Sequence, residues 1–355
     1  MIKVLFVFSG RGCVCVEKRS IEVLHALFRY QHKYITANGI FYDRLDDEDF
    51  EQHDIILFQR LGGGELIPQN NQERLFRLME RHRQNKIYVY DIDDYIFELQ
   101  NELPIKMMRR CHWATATTRF LADKMALYQP QCHVIPTQID LEACEKAPQA
   151  TGFDPDLTHI GWFSLDGQGM HIINQLYPWL LEKYANKIAI HFFCDTPFQL
   201  LSKKYYQDKL VLTKTPVPIT EMYSVVKAMD FLINPLDHHP ILKQNKKRNS
   251  VETLDFLHAK SEIKYLHAGA AGKPLISTDT PSYSAAIQHN ETGFLAKNEN
   301  EWMSQLSILI DDNSKRLEMG RKAKEHIYAT YSYEKSAANY AAFFLGLRTV
   351  EKHDY

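Results

Sequence analysis

The chain has 355 residues, 45% of them hydrophobic and 24% charged, with a formal net charge of -2. That length is too great for one ordinary core and sufficient for two, and the near-neutral balance excludes bulk attraction to nucleic acid, so any anion site has to be local. No apolar run reaches the roughly 18 residues of a membrane span, and the scattered cysteines and histidines exclude a disulfide framework and a metal cluster.

The start, MIKVLFVFSGRG, lacks a charged n-region and a small-residue cleavage site, so it reads as a strand and not as a signal peptide. None of the six cysteines (Cys13, Cys15, Cys111, Cys132, Cys144, Cys194) forms a CxxC, which suits free thiols in a reducing cytosol. The loop SGRGCVCVE after this first strand invites a dinucleotide reading. Cys15 stands where GxGxxG needs its third glycine, which argues against an NAD oxidoreductase. Arg11, Lys18 and Arg19 follow the strand and are candidates to meet an anionic acceptor or a phosphate.

Short apolar runs then alternate with amphipathic stretches: a helical pattern at 21–30, DIILFQR, a helix at 71–84, KIYVYDID, WATATT, RFLADKMALY and CHVIPT. Strands apolar on both faces, alternating with helices, indicate βαβ units and a parallel sheet. YDIDDYIF places Asp91, Asp93 and Asp94 at a strand's carboxyl end. They suit a helix cap with solvated acids, a metal site, or carboxylates that bind sugar hydroxyls or act as a base. Asp93 and Asp94 are taken as candidate catalytic residues.

Between 142 and 155 the stretch EACEKAPQATGFDP is polar, aperiodic and rich in breakers, and is expected to be a linker. A second alternating series follows, with THIGWFS, a helix near 169–184, KIAIHFFC, KLVLTK, a helix at 219–228, DFLINPL, PLIST and TGFLAK; from 302 to 347 the pattern is helical. KQNKKRNS, at 243–250, reads as a solvated basic loop that leaves peripheral membrane association open. The expected architecture is α/β with two Rossmann-like domains facing an interdomain cleft. Residues 1–145 form the first, 146–332 the second, and 333–355 a helix returning to the first.

Ligands of such sheets sit at the carboxyl ends of strands. In THIGWFSLDGQGMH, the residues Gly161, Ser164, Gly167 and Gly169 allow close backbone approach to a phosphate at a helix start. In HAKSEIKYLHAGAAGKPLISTDTPS, Ser261 is the expected cap of a helix over 261–271, with Gly272 at C′ and Pro274 beyond. Lys260 and Lys264 are four apart and His267 three further on, so all three share one helix face. Cations and a helix start together suit a diphosphate, while Ala268, Gly269, Ala271 and Gly272 suit close packing on the other side.

The same segment, AKSEIKYLHAGAAGKPLIST followed by TGFLAKNENEW, resembles the nucleotide-sugar-binding segment of GT-B glycosyltransferases, close to glycosyltransferase family 4 and to a bacterial polysaccharide subgroup. DIILFQR, YDIDDYIFEL and ATATTRFLADKM resemble its acceptor-domain strands, HIGWFS and AMDFLINPL its donor-domain strands, and YSYEKSAANYAAFF its terminal helix. The resemblance implies transfer of a sugar from a nucleotide-diphosphate sugar to a hydroxyl of a glycan or lipid-linked acceptor. It implies retention of configuration, no cofactor beyond the donor substrate, and a cytoplasmic setting, with the inner face of a membrane left open. Lys264 and Ser261 would bind the diphosphate with help from Lys260, and Gly161 to Ser164 would approach it. Thr278, Asp279 and Thr280 would line the sugar or phosphate pocket, and the loop 214–219 would hold the base. The family's two glutamates eight apart are absent: Ala259 and His267 stand in their places. A neutral imidazole accepts one hydrogen bond where a carboxylate accepts two from a ribose. Two other readings therefore stand beside transfer: a catalytically silent binding partner, and a sugar-nucleotide epimerase using Asp93 with His267.

Overall fold

The computed structural model of the chain describes residues 1–8, 16–63, 66–97, 102–164, 169–193, 211–214, 221–237 and 250–350. The glycines and basic residues expected to matter at 9–15, Gly167, the loop at 215–219 and most of the basic loop, 243–249, lie outside them. Two compact units result, each around its own parallel sheet.

The first unit contains β1 (Ile2–Phe8), a π-helical turn (Glu17–Ile21), α1 (Glu22–Gln31), β2 (Ile35–Phe41), α2 (Asp47–Gln52), β3 (Ile55–Gln59), α3 (Gln69–His82), β4 (Ile87–Ile92), α4 (Leu103–Arg110), β5 (Trp113–Ala116), α5 (Arg119–Met125) and β6 (Cys132–Val134). The second contains α6 (Leu141–Lys146), β7 (Thr158–Phe163), α7 (Met170–Tyr184), β8 (Ile188–Phe193), β9 (Val211–Lys214), α8 (Met222–Ala228), β10 (Phe231–Asn234), most of α9 (Ser250–Ala259), α10 (Ile263–Ala270), β11 (Leu275–Thr278), α11 (Pro281–Ala286), β12 (Phe294–Ala296), α12 (Glu299–Asp311) and α13 (Asn313–Thr330). The last helix, α14 (Tyr333–Val350), groups with the first unit, as do residues 258–261.

All described strand pairs are parallel, in the orders β2-β1-β3-β4-β5-β6 and β12-β11-β10-β7-β8-β9. Strand order reverses between β1 and β3 in the first sheet and between β7 and β10 in the second. Such reversal points are where open α/β sheets bind ligands.

In the first unit Ile2, Val4 and Phe6 of β1 and Ile55 and Leu57 of β3 pack on Val23 and Leu27 of α1 and on Tyr340 and Phe344 of α14. The Phe6 ring meets Phe344 edge-on at 6.2 Å. α14 therefore fills one face of the first sheet. A buried ion pair crosses this layer. Arg19, in the π-helical turn, donates through Nε to Asp91 at 3.2 Å, through Nη2 to the other oxygen of the same carboxylate, and through Nη1 to the Ile135 carbonyl at 2.7 Å. Thr115 Oγ1 donates to Asp91 at 2.7 Å, and both charged side chains are fully buried. Burial, the largest single influence, works to lower the Arg19 pKa, but the Asp91 charge, the neighbouring Tyr340 and Asp93, and the hydrogen bond to Asp91 together outweigh it and the net shift is upward. Arg19 and Asp91 are thus committed to the interior, which removes them from the pool of candidate site residues.

The linker expected at 142–155 begins as a helix. Asp140 Oδ1 accepts from the Ala143 amide at 2.8 Å and caps α6, whose six residues are too few for a periodic signal. In the second unit, the small residues of α10 pack on α13. A Cβ on Gly269 would collide with Ile327, and one on Gly320 with the carbonyl oxygen of Gly272. Gly272, at φ +69°, ends α10 as a left-handed C′ residue: its amide donates to the Gly269 carbonyl at 2.9 Å and that of Lys273 to Ala268 at 2.9 Å. Gly320→Ala should cost about 1–3 kcal/mol by overpacking this helix contact, read as a lowered urea midpoint at unchanged m; an unchanged midpoint would refute the close approach.

Cys111, Cys132 and Cys144 are free thiols. Burial pushes Cys144 up to about 11 and Cys132 up to about 12, and raises Cys111 as well. At pH 8 these thiols should alkylate on the order of 100-fold more slowly in the native chain than after denaturation, because the thiolate is the nucleophile. Peptide-resolved iodoacetamide labelling measures this, and equal rates would contradict the burial.

Candidate functional site

At the reversal point of the second sheet, β10 ends at Asn234. Its side chain is fully buried and does two things: Nδ2 donates to Ser277 Oγ of β11 at 3.0 Å, and Oδ1 accepts from Lys264 Nζ at 2.9 Å. Lys264 lies in the first turn of α10, half-buried. Its four-carbon stem would ordinarily sample many rotamers, and the buried amide holds the ammonium at a strand's carboxyl end. The pairing is between a cation and a neutral dipole, so the positive charge is oriented without being cancelled by this contact. A fixed cation beside a helix start is a place for an anion.

The helix start differs from the sequence expectation. α10 begins at Ile263 with Glu262 at the cap position and no capping bond from its side chain, and the third and fourth helical amides, of Tyr265 and Leu266, donate to the Glu262 carbonyl at 2.8 and 3.1 Å. Ser261 is not the cap. Lys260 and Ser261 lie in the break between α9 and α10, outside either helix, and group with the first unit while Lys264 belongs to the second. The helical spacing that places Lys260 on one face with Lys264 therefore does not apply. The physical reason is Glu262, whose backbone (φ -73°, ψ 16°) leaves the helical region and interrupts what the sequence pattern alone carries straight through. His267 remains on α10, half-buried, its ring 5.5 Å from that of Tyr223 on α8.

Thr278 ends β11, and its Oγ1 accepts from the Leu236 amide at 2.8 Å, which ties the segment after β10 to β11. Asp279 accepts from Ser284 Oγ and lies 3.6 Å from Lys297 Nζ. Thr280 is buried at the start of α11, and its hydroxyl has no hydrogen-bond partner among the described residues. A cavity of about 220 Å³ opens at these strand ends, lined in part by His171, Gln175, Asp237, Thr278, Lys297 and Trp302.

The glycine-rich start of α7 is arranged otherwise than its sequence suggests. Gly161 lies within β7, and the space a Cβ would need is filled by Leu232, Met229 and Phe163, so this glycine serves strand packing. Ser164 is buried and its amide donates to the Phe193 carbonyl at 3.0 Å. The His171 amide, in the first turn of α7, donates to Asp237 Oδ2 at 3.1 Å, so an internal carboxylate already sits at that helix start. Sequence reading missed both Asn234 and Asp237. Asn234 carries only a weak signal, a lone polar residue closing the apolar run DFLIN.

In the first unit, Asp93 and Asp94 follow β4. Arg60 Nη1 lies 2.6 Å from Asp93 Oδ1 and 3.8 Å from Asp94 Oδ2, and the three side chains are 12%, 16% and 24% exposed. Asp91 lies within β4 and is buried with Arg19, whereas Asp93 and Asp94 come after the strand has ended. The run of three acids therefore divides into one interior partner and two partly open ones.

Comparison with known proteins adds the following. Residues 263–326, which include Lys264, β11 and β12, match the family Glycosyl transferases group 1. Over 81 residues the chain is 31% identical to D-inositol 3-phosphate glycosyltransferase of Corynebacterium glutamicum, a stretch covering 22% of this chain and 19% of that protein, so the two align over about a fifth of each. Among solved structures, Anabaena Alr3699/HepE in complex with UDP superposes with a TM-score of 0.67 at 12% identity, covering 97% of this chain and all of that one. Sucrose-phosphate synthase from Thermosynechococcus elongatus does so with a TM-score of 0.65 at 10% identity, over 99% of this chain and all of the other. The chain therefore has the GT-B fold of glycosyltransferases and carries, at 263–326, the segment of the Glycosyl transferases group 1 family.

Proposed function

We propose that this chain is a glycosyltransferase that moves a sugar from a nucleotide-diphosphate sugar to a hydroxyl of a glycan or lipid-linked acceptor. The carrying observation is Lys264: it lies in the matched segment, at the reversal point of the second sheet, with its ammonium oriented by Asn234. As the bond from the anomeric carbon to the diphosphate breaks, negative charge grows on the leaving phosphate oxygen. A cation already in place stabilises that charge without reorganisation. This ammonium supports leaving-group departure without a divalent cation. Retention of configuration follows from the family resemblance alone. The HepE structures, solved with UDP, with UDP and glucose, and with UDP-glucose, favour a uridine diphosphate sugar as the first donor to try.

Thermal-shift screening of nucleotide-diphosphate sugars, followed by product analysis with and without a glycoside panel, tests this. A donor at 100 times its Kd should stabilise the chain by about 2.7 kcal/mol, and a glycosylated acceptor should form. His267, packed on Tyr223 where the family resemblance expects a glutamate, favours one rival, a chain that binds donor and does not turn it over. Stabilisation without product would establish that rival. A changed sugar without acceptor would establish epimerisation, and no stabilisation by any donor would sink the proposal.

A further inference from the structure

The first sheet has its own reversal of strand order, between β1 and β3, and β3 ends there at Gln59. The next residue, Arg60, has φ +51°. A long side chain in the left-handed region is strained, and such strain persists where surrounding structure imposes it, often at functional sites. The surroundings do impose it. The Arg60 amide donates to the Asp91 carbonyl at 2.8 Å, Nε donates to the Gly63 carbonyl at 2.5 Å, and Tyr90 Oη donates to the Leu61 carbonyl at 2.9 Å. The remaining edge of the guanidinium faces Asp93 and Asp94. Unlike the Arg19–Asp91 pair, this group is partly open to solvent. Beside it on the strand, Gln59 is fully buried and neither amide atom has a hydrogen-bond partner among the described residues. Buried amides without a partner are rare in native folds, which marks this strand end as unusual.

We propose that Arg60 is a positioning residue for the hydroxyl acceptor. Its imposed backbone sets the guanidinium against Asp93 and Asp94, fixing both carboxylates at the end of β4, the strand next to the reversal point of the first sheet. A carboxylate offers about four lone-pair sites, and both carboxylates are partly open to solvent, so they present oxygen acceptors to the hydroxyls of a glycan. This inference rests on the glycosyl-transfer reading, and it adds an element that neither the sequence pattern nor the matched segment contains.

The test is acceptor kinetics on the full chain, using the glycoside that the wild-type panel identifies. Arg60→Gly keeps a left-handed backbone without strain and removes the guanidinium. Its melting temperature should hold or rise, its acceptor KM should increase about tenfold or more, and its donor KM should stay within about twofold. Arg60→Lys should recover part of the loss, and Asp93→Asn should add little on top of Arg60→Gly, because both act through one pair. An acceptor KM within about twofold of wild type in Arg60→Gly, or losses that multiply as if independent, would overturn the proposal. Should Arg60→Gly fail to fold, an unchanged acceptor KM in both Arg60→Lys and Asp93→Asn overturns it equally. Failure of the parent reading looks different: no transfer product at all from the wild-type chain. Saturation-transfer NMR with methyl glycosides, which needs no donor, then decides. Binding by wild type that is lost in Arg60→Gly supports the role, while equal binding, or none by wild type, refutes it.

Discussion

Lys264→Ala should lower the turnover number by about 10²–10³-fold, the range seen when one preorganised donor to a developing charge is removed. The Michaelis constant for donor should change less, because the ammonium meets more charge in the transition state than in the bound donor. Stability should change little: the side chain is half-buried at the start of a helix whose core contacts come from Tyr265, Leu266, Ala268 and Ala270. Lys264→Arg keeps the charge, but a planar fork does not reproduce a point cation held on Asn234, so it should restore only part of the rate. Steady-state kinetics beside a thermal melt separate these outcomes. A Lys264→Ala chain with wild-type turnover would mean that the start of α10 is not where the leaving group departs.

The largest stability effect is expected from Asp91→Ala. It would strand the Arg19 guanidinium, fully buried, with only the Ile135 carbonyl and the Tyr340 ring face, 5.7 Å away, as partners among those described above. Breaking a buried pair from one side costs about 3–5 kcal/mol, since an uncompensated charge is left behind. Replacing both partners together, as Arg19→Met with Asp91→Leu, should cost much less, because the desolvation penalty disappears with the charges. Urea unfolding of the wild type and the two variants measures the difference. If the single and double variants are equally destabilised, the pair is not the interior link it is taken for here.

Asp91, Asp93 and Asp94 show how far the sequence reaches. The run YDIDDYIF marks a strand end carrying three acids, and that much is legible from an apolar run followed by carboxylates. Which acid faces the core depends on the pleat and on what lies above it. Asp91 points into the layer that the π-helical turn and α14 cover, and its partner lies 72 positions earlier in the chain. Arg60 was passed over for a related reason: nothing in DIILFQR announces a left-handed arginine. At Ser261 the failure is local. Capping preference favours serine, yet the helix begins two residues later, because a residue's own propensity is worth less than the packing that decides where a turn breaks.

The sequence by itself determined the alternation of strands and helices, hence two parallel α/β sheets, along with the glycine stop of α10 and the lysine-bearing segment that the family comparison also singles out. These depend on periods of two and 3.6 residues and on conformations only some side chains tolerate, which are properties of neighbours along the chain. The tertiary structure alone decided that Lys264 is held by Asn234, that Asp237 sits at the start of α7, that Asp91 belongs to Arg19, and that Arg60 faces Asp93 and Asp94. Each of these pairs residues 30 or more positions apart. A charge or an amide chooses its partner by distance and burial in space, and one-dimensional order does not encode that choice.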